Sequence, residues 1–157
     1  FPMLLVSMLL GGGMSSRLFQ RVREDLGLAY SVYTYQSFHA DSGMHGVYVA
    51  TAPESTGAAL DAIRTELREV VDNGLPADEV AMGRQQLKGQ VTLSLESVSS
   101  RMYRAASVEL YNEPFRSLDE ILALIDGISV DDVARVASVY FDPERMTVVS
   151  LGPKGAE

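Results

Sequence analysis

The sequence contains no cysteine. Disulfides, thiolate zinc sites and a cysteine nucleophile are therefore excluded within this chain. The absence fits a reducing compartment, and a cytoplasmic location is expected. Histidine is nearly as scarce, with His39 and His45 the only two. They lie on either side of a predicted turn, with Asp41 between them, and do not form a helical i, i+4 pair. A zinc site needs at least three converging protein ligands. These two read instead as loop and strand-face histidines, and no metal is expected in this chain. Basic side chains are also in the minority. Against 21 Asp plus Glu stand 13 Lys plus Arg, a formal net charge of −8. That sign opposes binding to a nucleic-acid backbone or to an anionic membrane surface.

The apolar start, FPMLLVSMLLGGG, has no basic leader and no cleavage pattern. It is too short to span a bilayer. It also lacks an initiator methionine and a lead-in turn, so the chain reads as a piece of something longer, truncated at its N-terminal side. What is present is an ordinary apolar fraction, 46%. A chain of this length can bury roughly two thirds of its extended surface in one domain.

Phe1 to Leu10 could be a buried helix or a buried strand, which periodicity cannot separate at this length. Gly11, Gly12 and Gly13 punctuate it. Ser15 or Ser16 is placed to cap a following helix with Leu18, Phe19, Val22 and Leu26 on one broad face, and Gly27 to stop it. Leu28 to Phe38 is rich in Tyr, Val and Thr and reads as a strand. Turn chemistry at Ala40–Gly43 returns it through Met44–Thr51 as a hairpin. From Glu54 the period becomes helical, with Leu60, Ile63, Leu67, Val70 and Val71 in one stripe. Asn73, Gly74 and Pro76 end that helix. A long helix follows from Asp78, carrying Val80, Leu87, Val91 and Leu95. It bends or breaks at Ser97–Ser100, and a further helix runs to Asn112. Capping boxes at Ser117/Glu120 and Ser129/Asp132 open two short helices. Met146–Leu151 is expected to close the fold as a strand. The order predicts an α+β fold with an antiparallel sheet and helices on one face. The expected division is one domain over 1–152 and a polar tail over 153–157.

Few residues carry obvious chemistry. The triple glycine is not a phosphate loop, because Met14-Ser15-Ser16 follows where Lys and Ser/Thr would be needed. No G-x-S-x-G elbow or placed histidine base supports a serine hydrolase. Glycines before a helix can receive a carboxylate or a peptide carbonyl on free N–H groups. They can equally mark a close helix crossing with no ligand. Arg23 and Tyr30 stand seven apart across Gly27, and that break could aim both into one cleft. Arg is a permanent donor to carbonyls and carboxylates, and a Tyr hydroxyl can stabilise charge developing on oxygen. On spacing alone, an exposed Arg23 and a sheet-bound Tyr30 is the simpler reading.

The stretch LGGGMSSRLFQRVREDLGLAYSVYTY resembles the glycine-rich stretch in the C-terminal half of the pitrilysin, or insulinase-like, zinc peptidases. These include the mitochondrial processing peptidases and their bacterial relatives. The order of hairpin, long helices and short final strand is compatible over essentially the whole chain. The resemblance implies a processing-peptidase-like metallohydrolase fold. It implies a second, zinc-free domain that closes a substrate chamber against a first domain, which holds zinc through a histidine–x–x–glutamate–histidine motif. On that resemblance Arg23 and Tyr30 hold the substrate backbone and steady the tetrahedral intermediate. Gly11, Gly12, Gly13, Met14 and Ser15 map onto a loop that handles the peptide. The partners implied are the zinc-binding domain or a catalytic partner subunit, and an extended peptide, in a single chain, a homodimer or a heterodimer. The −8 charge suits basic, presequence-like peptides where it gathers on the chamber wall. Some family members have lost zinc and act as scaffolds, and a plain peptide-binding module is the blander alternative.

Overall fold

The computed structural model describes residues 1–153. Of the expected tail, residues 154–157 lie outside the described residues. The apolar start is helical, α1 (Pro2–Gly11), with Pro2 in the first turn, where its missing N–H costs nothing. Six of its ten residues are buried: Leu5, Val6, Ser7, Met8, Leu10 and Gly11. A helix apolar all round must be enclosed on several sides, and α1 packs against β1 (Ala29–Phe38), α3 (Ala77–Ser94) and α6 (Val130–Tyr140).

β1 and β2 (Gly43–Thr51) form the expected antiparallel hairpin, with Tyr33 opposite Tyr48 and Tyr35 opposite Gly46. One face meets α1. Thr34 donates its hydroxyl to the Ser7 carbonyl at 2.6 Å, and Ser7 donates to Gln36 Oε1 at 2.6 Å. The only polar side chain buried in α1 is thereby satisfied. The other face is aromatic and partly exposed, and the rings of Tyr33 and Tyr48 stack there at 4.9 Å.

α2 (Thr56–Asn73) buries Ala59, Ala62, Ile63, Leu67 and Val70 and ends at Gly74, whose φ of 71° no β-carbon favours. α3 buries Val80, Gly83 and Leu87. The chain breaks after α3, and Ser97 caps α4 (Val98–Leu110). None of the α4 side chains is buried, and Met102 and Leu110 are exposed. Both capping boxes form, opening α5 (Leu118–Asp126) and α6. No described helix is long and apolar enough to cross a membrane.

One expected element is missing. Residues 146–151 form no strand, and the sheet has two strands among the described residues. A cleft of about 570 Å³, lined by Met44–Val47 on one side and by Met146, Thr147 and Val149 on the other, separates this segment from β2. The apolar alternation is present, but no ladder partner lies within reach, and Val149 and Leu151 stay in solvent.

Close approach explains where glycine is needed. A Cβ on Gly11 would sit 2.6 Å from the Thr34 backbone nitrogen, whereas one on Gly13 would meet nothing within 4 Å. Gly11→Ala is expected to destabilise the fold by about 1–3 kcal/mol through overpacking of α1 on β1. Gly13→Ala is expected to change stability by less than about 0.5 kcal/mol. Urea unfolding of the two variants checks the contrast.

His45 packs its ring 4.6 Å from that of Phe141 at the end of α6. Burial holds its pKa below the ordinary histidine value, with a backbone hydrogen bond at Tyr140 opposing the shift. The unfolded chain therefore takes up a proton first as pH falls. The contribution of His45 to stability is expected to decline from about pH 6.5 downward and to level off below its folded pKa. Thermal unfolding between pH 7.5 and 5.5 should show this slope in the native protein and lose that component in His45→Phe.

Candidate functional site

The segment after the glycines is helical but not α-helical. Residues Phe19–Asp25 form a π-helix, closed by Leu26 N–H donating to the Arg21 carbonyl at 3.2 Å. Each such turn holds an extra residue. That rotates Leu26 away from the Leu18–Val22 stripe, so Leu26 is exposed although its α-helical spacing predicts burial. Gly27 then takes a φ of 60°, and Leu28 N–H donates to the Val22 carbonyl at 2.9 Å. The expected stop at Gly27 is thus a left-handed turn that sends β1 back past the helix.

β1 is irregular at its start. Ala29 pairs with Thr51 but Ser31 pairs with Ala50, leaving Tyr30 as an extra residue in a bulge. Bulges re-aim side chains and are over-represented beside active sites. The π-turn and the bulge bring Arg23 and Tyr30 together. The Arg23 guanidinium lies 4.8 Å from the Tyr30 ring centroid and 4.7 Å from that of Phe19. A guanidinium held between two rings gains cation–π attraction from each. The nearest carboxylate, Glu24, is at 3.7 Å and largely exposed, so it adds little. Tyr30 is 81% exposed, and most of its ring is open to an incoming group.

The glycine-rich stretch divides in two. Gly11 is buried at the end of α1 and serves packing. Gly12 to Ser15 form an exposed loop, with Met14 at its tip, 76% exposed. The expected serine cap does not form. Instead the buried Ser16 donates its hydroxyl back to the Gly13 carbonyl at 2.6 Å. Gln20, on the π-helix, donates to the Met14 carbonyl at 2.6 Å and so ties the loop to the element that carries Arg23. At the loop's exit, Arg17 grips the Glu79 carboxylate with Nε at 2.9 Å and Nη2 at 2.7 Å.

Sequence reasoning missed Phe19, Gln20 and the Arg17–Glu79 pair. Phe19 and Arg23 are four apart, so helical spacing could have paired them. Nothing in the sequence links Arg17 to a residue on α3.

Among the described residues no three His, Asp or Glu side chains converge on one point. His45 is packed on Phe141, and His39 stands beside the Ser37 hydroxyl.

Residues 1–87 match the family model described as the peptidase M16 inactive domain. A zinc protease of Streptomyces coelicolor, described as uncharacterised, is 46% identical over 82% of this chain. The zinc protease YmxG of Bacillus subtilis, likewise described, is 36% identical over 99%. The chain spans 28% and 38% of the lengths of these two relatives. Among solved structures, a peptidase M16 inactive domain from Pseudomonas fluorescens superposes with a TM-score of 0.80 at 23% identity, covering 90% of this chain and 34% of that one. That similarity concerns the fold. The glycine stretch, the Arg23–Tyr30 pair and the hairpin all fall inside the matched residues, and the chain belongs to the M16 zinc peptidase family as its inactive, C-terminal type of domain.

Proposed function

We propose that this domain closes the peptide chamber of a zinc endopeptidase and positions an extended substrate against zinc carried by another domain or subunit. The observation behind this reading is the convergence of Arg23 and Tyr30. Two separate departures from regular backbone, a π-helix and a bulge, meet at one pair, a half-buried Arg23 and an exposed Tyr30. Departures of this kind cluster at functional sites.

The roles follow from the chemistry. The Arg23 guanidinium, always charged, donates to peptide carbonyls. Its stacking on Phe19 and Tyr30 fixes its plane before substrate arrives, which reduces the side-chain entropy lost on binding. The Tyr30 phenol donates to the oxygen on which negative charge develops. The exposed loop Gly12–Ser15 offers backbone groups to the peptide, with Gly11 rooting it on β1. The −8 charge favours basic peptides by long-range attraction. The domain works in the cytoplasm, facing its zinc-carrying counterpart within one chain, a homodimer or a heterodimer. A scaffold subunit without catalysis is the competing reading.

Tyr30→Phe removes one hydroxyl from an exposed ring, so thermal stability should hold. In the full-length, zinc-loaded protein acting on a basic peptide, kcat should fall on the order of 10²-fold. Unchanged kcat with zinc and substrate both present would contradict the assignment and favour the scaffold reading.

A further inference from the structure

We infer that Arg17 and Glu79 form a positioning clamp that holds the glycine loop and the π-helix in register for the Arg23–Tyr30 pair. The inference rests on the reading of that pair given above. Arg17 stands between the two elements: it follows the loop Gly12–Ser15 and the buried Ser16, and lies two residues before the π-helix begins at Phe19. Its guanidinium reaches out of this segment to another element altogether. Nε lies 2.9 Å from Glu79 Oε1 and 3.2 Å from Oε2, and Nη2 lies 2.7 Å from Oε2. Two donors on both carboxylate oxygens fix a plane as well as a distance. A lysine would supply only a point charge.

The acceptor is itself well anchored. Glu79 is the third residue of α3, in the first turn, where free N–H groups and the helix dipole favour a carboxylate. α3 is pressed onto α1 through Gly83, whose missing Cβ would sit 2.8–2.9 Å from the Leu5 and Leu9 side chains. Loop position is thus referred through Arg17 and Glu79 to the buried central helix. Both side chains are mostly shielded, at 24% and 21% exposure. The pair is therefore screened less than the open ion pairs Arg21–Asp25 and Arg68–Glu144.

The surroundings keep Arg17 in place. Glu66 and Glu69 of α2 add to the attraction on its charge, and partial burial raises the Glu66 carboxyl pKa. Without the clamp, two local bonds would still hold the loop: Ser16 to the Gly13 carbonyl and Gln20 to the Met14 carbonyl. Both act within residues 13–20. They would preserve the loop's shape, and Leu18 and Val22 would stay in the core, but the exit of the loop would no longer be tied to α3. The clamp thus governs placement more than folding, and small misplacements of positioning groups cost rate steeply.

The test uses the full-length protein with Arg17→Lys and, separately, Glu79→Gln, variants that keep size and much of the polarity. Amide hydrogen exchange is expected to quicken in residues 12–25 and to stay native in β1, β2 and α1. With a basic peptide as substrate, kcat should fall on the order of ten- to a hundredfold, with KM changed by less than about threefold. Native exchange in 12–25 would overturn the clamp whatever the kinetics. Exchange that quickens uniformly across the domain would also overturn it, marking the pair as general stabilisation. Quickened loop exchange with native kcat, in a protein where Tyr30→Phe still lowers kcat, would overturn the positioning role and leave the Arg23–Tyr30 reading intact. If Tyr30→Phe is silent as well, the failure belongs to that earlier reading.

Discussion

The structure depends on burying one helix that has no polar face. α1 must be covered on several sides, and it is: by the inner face of the hairpin, by α3 and by α6. Coverage this tight leaves no room for side chains at two crossings. Gly11 meets Thr34, and Gly83 meets Leu5 and Leu9. The first glycine of the triple thus ends the helix against the sheet. The next two release the chain into a loop that begins at the core and emerges into solvent. Fold and site are therefore joined at Gly11: the start of the loop is set by how closely α1 can approach β1, and its exit by Arg17 on Glu79.

Around that fixed point the backbone departs from regularity three times within twelve residues: a π-helix over Phe19–Asp25, a left-handed glycine at 27 and a bulge at Tyr30. Each departure gives up regular pairing. Together they bring two side chains seven positions apart into ring-to-guanidinium contact. Strained or irregular backbone persists only where its surroundings over-determine it. Here the surroundings are the Leu18 and Val22 contacts with the core beneath and the bond from Leu28 to Val22 beyond.

Much of this was legible in the sequence. The hairpin announced itself through β-branched and aromatic residues around a Gly/Asp turn. The two late capping boxes fixed the starts of α5 and α6, because serine followed three residues later by an acid satisfies reciprocal donors. Gly27 and Gly74 marked stops because their positive φ requires glycine. Other features were not legible. Ten residues, apolar but for Ser7, fit a buried helix or strand equally well. A π-turn has no sequence signature, so the burial of Leu26 was misjudged and a serine cap was expected where Ser16 instead donates to Gly13. Met146–Leu151 has the composition of a strand, but pairing depends on a neighbour that composition does not reveal. Of the candidate site, Arg23 and Tyr30 were legible mainly through family resemblance, since spacing alone favoured an exposed arginine. The Arg17–Glu79 pair joins residues 62 apart, a link no local pattern carries.

The central claim is that Arg23 and Tyr30 act on substrate as one unit. A double-mutant cycle on kcat/KM of the full-length protein, using Arg23→Ala, Tyr30→Phe and both together, tests it most directly. Residues in contact with a shared task should show a coupling of about 0.5–3 kcal/mol, the double variant losing less than the sum of the singles. Losses that add to within about 0.3–0.5 kcal/mol, or no loss in either single variant, would contradict the account.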